Sequence, residues 1–303
     1  MRILSTDGLD KDARAAIIDM GHELEETHFS PADLKLQIGK YHAVIVRSAT
    51  KITRGILDGA LETGLLKLVV RAGVGTDNID VPYAEKNGIS VANTPGASSG
   101  AVAEMALAHM LVLSRFLHLS NLTMREGRWE KKHYKGTEIS GKTLGLVGSG
   151  RIALELSGKA LALGMRVLYT NRSGQKKEFS SCKYVSFEEL LRESDYVSLH
   201  VPDDKKAGPM ITKRELCMMK KSAYLINTAR GGLVDEEALL DALEHNNLAG
   251  AGIDVFAEEP TGNIALVNHP KVSASPHVGG ATREAQHRIG QEIVEIIRNL
   301  EES

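Results

Sequence analysis

Cysteine is almost absent from this chain. Cys182 and Cys217 are the only two among 303 residues, and neither stands in a ligand-spaced pair. That excludes a disulfide framework and a cysteine metal site, and it suits reduced thiols in a cytoplasmic protein. Net charge is also scarce: 37 basic against 39 acidic side chains leave −2 at pH 7. No overall field therefore draws the chain to nucleic acid or to a membrane. Long apolar runs are missing too. The most apolar stretch, 102–113, contains Glu104 and His109 and is shorter than the roughly 20 residues a bilayer span needs. It reads as a buried helix. The first residues, Met1-Arg2-Ile3-Leu4-Ser5-Thr6-Asp7, hold too short an apolar run for a signal peptide and read as a strand. No short-period repeat and no low-complexity tract is present. What remains is a globular composition, 42% hydrophobic and 25% charged, in a length that suits two domains.

Short apolar strands alternate with amphipathic helices. Strands are expected at 2–5, 44–46, 66–70 and 89–92, with helices at 11–20, 31–38, 54–60 and 82–86 between them. Gly21 and Gly88 stand where helices should end. The alternation predicts an α/β fold with parallel sheets covered on both faces. Asn93-Thr94-Pro95-Gly96 interrupts it and suits a hinge, followed by a long helix over 102–115 and a charged segment at 124–134. A second series of strands follows from Thr143, at 166–170, 196–200, 224–227, 250–254 and 272–275. The last helix, 282–300, places Ile289, Ile293, Ile296, Ile297 and Leu300 at helical spacing. The expected division is 1–94 with 281–303 for a smaller, flavodoxin-like α/β domain that chooses the substrate, and 95–280 for a Rossmann domain. The final helix is expected to return to the first domain.

The strongest local signal is Leu144-Gly145-Leu146-Val147-Gly148-Ser149-Gly150-Arg151-Ile152-Ala153. A strand enters a glycine turn and a helix opens directly after it. Gly148 and Gly150, with the N–H groups of Arg151 and Ile152, are the expected seat of a dinucleotide pyrophosphate. After the next strand an acidic residue usually holds the ribose 2′-hydroxyl of NAD. Here the residues are Asn171, Arg172 and Ser173, with Lys176 and Lys177 following. NAD(H) or NADP(H) is expected, and this loop leans towards the 2′-phosphate of NADP.

Three segments end predicted strands: Asn227-Thr228-Ala229-Arg230-Gly231-Gly232, Glu258-Glu259-Pro260 and Ser275-Pro276-His277-Val278-Gly279-Gly280. With them, from Val44 to the last helix, the chain resembles the D-2-hydroxyacid dehydrogenase family. The resemblance implies that Arg230, Glu259 and His277 form the catalytic set. Side-chain chemistry agrees: imidazole titrates near neutrality and suits general acid/base work. Glu259 would accept from its other ring nitrogen, and Arg230 offers a planar fork for a substrate carboxylate. The resemblance also assigns Asp254 to the nicotinamide carboxamide and His200, Val201 and Pro202 to the adenosine side. Thr228, Ala229, Gly279 and Gly280 would lie near the rest of the cofactor. His22, His28, His109, His118 and His245 read as structural or solvated.

Substrate choice should lie in the first domain. Val46-Arg47-Ser48-Ala49-Thr50-Lys51, the stretch Val70-Arg71-Ala72-Gly73-Val74-Gly75, and Met124-Arg125-Glu126-Gly127-Arg128-Trp129-Glu130-Lys131-Lys132 resemble the phosphoglycerate dehydrogenase branch of the family. Arg47 and Arg71 would meet a phosphate, and the N–H groups of Val74 and Gly75 a carboxylate. Lys131 or Lys132 would reach in from a partner subunit. The expected reaction is oxidation of 3-phospho-D-glycerate. An NADP-linked glyoxylate or hydroxypyruvate reductase is the alternative, and a non-enzymatic corepressor of the same fold is a remote one. The short tail after the last helix implies no regulatory domain and no serine feedback. A small-molecule substrate, no resident metal, no nucleic-acid or membrane partner and a homodimer built on the long helix and Trp129 complete the expectation. The domains should meet over a cleft.

Overall fold

The computed structural model describes residues 1–204 and 206–301. They form two compact units, Met1–Ser98 with the chain from Gly280 onward, and Ser99–Gly279. The sequence placed the crossings at 94/95 and 280/281; the structure has them at 98/99 and 279/280.

In the first unit the elements run β1 (Arg2–Ser5), α1 (Lys11–Asp19), β2 (Glu23–Glu26), α2 (Pro31–Gln37), β3 (Ala43–Val46), α3 (Arg54–Leu61), β4 (Leu68–Arg71), α4 (Val81–Lys86) and β5 (Ser90–Asn93). The sheet is parallel throughout, in the order β2-β1-β3-β4-β5. That is the flavodoxin-like order. β3 is wholly buried, as an uninterrupted Ala-Val-Ile-Val run requires between two helical layers. β2 was not foreseen, because three of its four residues are Glu. It is an edge strand, where charge is tolerated and discourages further pairing, and Glu25 accepts from Arg2 at 3.3 Å.

The second unit runs α5 (Ser99–Ser114), α6 (Leu117–Arg125), β6 (Thr143–Val147), α7 (Arg151–Ala162), β7 (Arg166–Thr170), β8 (Lys183–Tyr184), α8 (Phe187–Glu193), β9 (Tyr196–Leu199), α9 (Lys213–Met218), β10 (Tyr224–Asn227), α10 (Glu236–Glu244), β11 (Gly250–Ile253), α11 (Ile264–Val267) and β12 (Val272–Ala274). Its parallel sheet has the order β12-β11-β10-β9-β6-β7-β8. Counted from β6, this is the Rossmann order 3-2-1-4-5-6 with one further strand. The order reverses between β6 and β9, so the carboxyl ends of those strands flank a ready crevice. Two residues, Lys183 and Tyr184, make the edge strand β8, too short to carry a periodic signal. α5 and α6 are separate helices bent by 65°, broken at Phe116, whose φ is 53°. Among the described residues no single helix is long and apolar enough to cross a membrane.

The last helix, α12 (Arg283–Glu301), belongs to the first unit. Its stripe Ile289, Ile293 and Ile297 packs with Ile3 of β1 and Ile17 of α1. Four-residue spacing puts these side chains on one face, which is the signal the sequence carried.

Candidate active site

β6 is buried along its whole length and delivers the chain to Gly148 at φ +112°. A Cβ there would lie 2.3 Å from the carbonyl oxygen of His200, so the turn passes directly over the end of β9. Gly150 is the N-cap of α7, and no side chain caps that helix. A Cβ on Gly150 would meet nothing within 4 Å. The first N–H groups of a 12-residue helix, at Arg151 and Ile152, therefore open onto free space. Uncapped donors, a helix dipole and that room suit a diphosphate. Ala153 is fully buried, which is the close helix-to-strand packing expected at that position.

Beyond β7 no carboxylate stands at the ribose position. The Asn171 amide donates to Ser149 Oγ at 2.7 Å and ties the glycine turn to the end of β7. Ser173 Oγ donates to Asn171 Oδ1 at 3.3 Å, and Arg172 is exposed beside it. On the other side of the turn stand His200, Val201 and the exposed Pro202; the Val201 side chain lies against Gly148. The His200 ring meets Ser198 Oγ at 2.9 Å, and burial pushes its pKa down to about 4.

This histidine makes the fold acid-sensitive. An imidazole titrates near 6.5 when unfolded, so between pH 6.5 and about 4 the unfolded chain holds the extra proton. Stability should be complete above pH 6.5 and fall as pH drops towards 4, by about 3 kcal/mol in all from this group. Burial lowers His109 in the same direction. Urea unfolding at pH 7 and pH 4.5 should show a smaller loss in His200→Gln than in the unmodified chain. Equal losses would refute the assignment.

The other candidate residues of this unit hang from β10, β11 and β12. Asn227 closes the turn after β10: its amide donates to the Arg230 carbonyl at 2.8 Å, and its Oδ1 accepts from Ala229 N–H at 3.1 Å. Arg230 is half-buried and its Nη1 donates to the Ala229 carbonyl at 2.7 Å. The Thr228 hydroxyl is buried with no hydrogen-bond partner among the described residues. A Cβ on Gly231 would sit 1.8 Å from the Phe256 carbonyl carbon, so the Arg230 turn and the loop after β11 are in backbone contact. From that loop Glu259 Oε2 accepts from His277 Nδ1 at 2.7 Å, and Oε1 accepts from Phe256 N–H at 3.1 Å. Both side chains keep partial solvent exposure. With Nδ1 bonded to the carboxylate, Nε2 is the nitrogen left for a reacting oxygen.

His277 holds φ 53°, a conformation rare outside glycine. Asp254 fixes it there. The Asp254 carbonyl accepts from His277 N–H at 2.7 Å; Oδ1 accepts from Ser275 Oγ at 2.6 Å and Val278 N–H at 2.9 Å, and Oδ2 from Gly279 N–H at 2.8 Å. Asp254 is 1% exposed. Sequence reasoning gave it to the carboxamide; the structure employs it first in holding the loop that carries His277.

The first unit places the remaining candidates, with two departures from expectation. Arg71 was expected to face a phosphate. Its guanidinium instead folds back over its own loop: Nη1 donates to the Ala72 carbonyl at 2.9 Å and occupies the place of a Cβ on Gly73, whose φ is +147°. Gly280 was expected with the nucleotide residues, but it belongs to the first unit, against Ser98. Val74 is exposed beside Gly75, and its carbonyl accepts from Asn93 Nδ2 at 2.6 Å. Arg47 lines a cavity of about 530 Å³, with Asp10, Lys11, Asp12, Thr282, Arg283, Gln286 and His287.

Two residues that hold Arg47 were missed. Buried Asp7, just past β1, accepts from Arg47 N–H at 2.7 Å and from Thr50 Oγ1 at 2.8 Å. Asn78 donates to the carbonyls of Arg47 and Thr50, each at 2.7 Å. An acid two residues past the end of β1 was the available signal for Asp7; Asn78, seven residues past β4, carried none.

The sequence profile described as D-isomer specific 2-hydroxyacid dehydrogenase, NAD binding domain, matches residues 107–279. A hydroxypyruvate reductase of Thermotoga maritima is 41% identical over 301 residues, covering 98% of this chain and 97% of its own. A D-3-phosphoglycerate dehydrogenase of Synechocystis sp. is 37% identical over 99% of this chain, which spans 54% of that protein. Among solved structures, an acyclic imino acid reductase in complex with NADPH and D-arginine superposes with a TM-score of 0.89, at 28% identity, over 99% of this chain and 97% of that one.

Proposed function

The chain belongs to the D-isomer-specific 2-hydroxyacid dehydrogenase family, and from that premise we propose that it interconverts a D-2-hydroxy acid and its 2-oxo acid, with His277 as acid/base and 3-phospho-D-glycerate as the hydroxy acid. A bound nicotinamide dinucleotide supplies or accepts the hydride at C2. The observation that carries this reading is the 2.7 Å bond between His277 Nδ1 and Glu259 Oε2 on a loop pinned by Asp254. During reduction the His277 imidazolium gives its Nε2 proton to the carbonyl oxygen and is left neutral; Glu259 stabilises the protonated ring before that transfer and keeps it oriented. Arg230 is assigned to the substrate carboxylate, because a guanidinium stays charged at any working pH and binds a carboxylate through two parallel bonds.

Arg47 supports a phosphorylated tail, since Lys11 and Arg283 share its cavity, although Asp10 and Asp12 line it as well. The second reading, an unphosphorylated 2-oxo acid such as hydroxypyruvate or glyoxylate, is supported by the 41% identity to a hydroxypyruvate reductase over nearly the whole of both chains. NADP(H) is the proposed preferred cofactor, on the absence of an acid at Asn171 and the exposed Arg172. Leu117, Leu122, Met124 and the 79% exposed Trp129 support self-association through the α6 face, to be read by light scattering.

Reduction rates for 3-phosphohydroxypyruvate, hydroxypyruvate and glyoxylate, each with NADH and NADPH, test these assignments. The phosphate reading expects Arg47→Ala to raise KM for the phosphorylated acid about tenfold or more and to spare the others. Equal effects on all three acids would exclude it. Arg172→Ala should raise KM for NADPH about tenfold with little change for NADH.

A further inference from the structure

His109 lies on α5, was read from the sequence as structural or solvated, and is 5% exposed. Its ring is nevertheless bonded at both nitrogens: Nε2 meets Ser275 Oγ at 3.1 Å and Nδ1 meets Ser273 Oγ at 2.9 Å. Ser275 Oγ spends its hydrogen on Asp254 Oδ1 at 2.6 Å, so towards His109 it is an acceptor. Nε2 must therefore carry the ring proton, and Nδ1 must accept from Ser273. One tautomer satisfies the whole chain of bonds.

We propose that His109 is a positioning residue for His277, acting through Ser275 and Asp254. Donation from His109 orients the Ser275 hydroxyl; that hydroxyl and the two N–H groups of Val278 and Gly279 fix the Asp254 carboxylate, and the Asp254 backbone accepts from His277 itself. The histidine is held at a left-handed φ by this assembly, with Glu259 as its remaining brace. A neutral ring fits the role, with Nε2–H donating to Ser275 and Nδ1 accepting from Ser273. Burial lowers the pKa of His109, and the Asp254 charge opposes that shift. On the helical side Glu104 of α5 and Lys159 of α7 pair with each other at 3.4 Å, with Glu104 largely exposed.

The inference rests on the reading that His277 is the acid/base. The test compares the full-length protein with His109→Leu, His109→Gln, Ser273→Ala and, as control, His277→Asn. His109→Leu should lower kcat about ten- to hundredfold, with KM for the dinucleotide changed less than about twofold. It should also displace the pH profile of kcat/KM and the NMR titration of the His277 ring in the ligand-free protein. Gln keeps a donor at the Nε2 position and should restore most of kcat and the profile. Should His109→Leu fail to fold, Ser273→Ala, which leaves Ser275 and Asp254 intact, should still shift the His277 titration and lower kcat about threefold or more. Unchanged kcat, pH profile and His277 titration in His109→Leu, or in Ser273→Ala if the first does not fold, overturn the inference, as does a Gln variant no better than Leu. If His277→Asn itself retains turnover, the underlying assignment fails instead, and the two failures are distinguishable.

Discussion

Replacing His277 with Asn is expected to lower kcat by about 10²–10⁴-fold, the usual worth of a general acid/base, while dinucleotide affinity stays unchanged. Asn keeps the backbone position, since it tolerates the φ of 53° held by the Asp254 carbonyl. What disappears is the proton carried by Nε2 and the imidazolium that Glu259 would stabilise across 2.7 Å. Glu259→Gln should lose less, about tenfold to a hundredfold, because it keeps a hydrogen-bonding group near Nδ1 but removes the charge. Stopped-flow reduction with either nucleotide, alongside a fluorescence titration of NADPH binding, separates chemistry from binding. A His277→Asn protein that turns over within about tenfold of the unmodified enzyme would remove the histidine from the reaction.

Two glycines separated by one residue should respond in opposite ways. Gly148→Ala forces a Cβ to within 2.3 Å of the His200 carbonyl oxygen at φ +112°, so neither space nor backbone accepts it. A destabilisation of about 3 kcal/mol is expected, from overpacking and from strain at positive φ, with nucleotide binding lost alongside. At Gly150 the φ is −81° and the would-be Cβ meets no atom within 4 Å. Gly150→Ala should keep the unfolding midpoint, yet weaken NAD(P)H binding by about tenfold or more, because the methyl enters the space over the helix N–H donors. Thermal unfolding and nucleotide titration on both variants give the comparison. Equal nucleotide affinity in Gly150→Ala and the unmodified chain would place the diphosphate elsewhere.

Much of the fold was legible because its signals are local. Short apolar runs such as Ala43–Val46 and 144–147 announce a covered parallel sheet, and the Ile289, Ile293, Ile297 spacing announces one buried face of α12. The unforeseen strands are the edges β2 and β8. One is mostly glutamate and the other has two residues, so propensity and periodicity were both silent. The break at Phe116 was equally hidden, since nothing in its neighbours requires a left-handed residue. At the site the residue types were readable and their duties less so. Arg71 and Arg47 look equivalent in the sequence, each ending a strand. In the structure one guanidinium lies over Gly73 on the Ala72 carbonyl and the other lines a cavity.

The order of residues alone determined a glycine turn between strand and helix and two α/β units, because backbone geometry writes those features into adjacent positions; the Arg–Glu–His set was implied by the family resemblance. Three-dimensional packing decided the rest. It committed Asp254 to four donors from a distant loop, gave His109 a place beneath that loop from 164 residues away, and knitted Asp7 to Thr50 across 43. Hydrogen bonds between residues so far apart leave no periodic trace. A buried polar side chain takes its role from whichever partner the fold brings within about 3 Å.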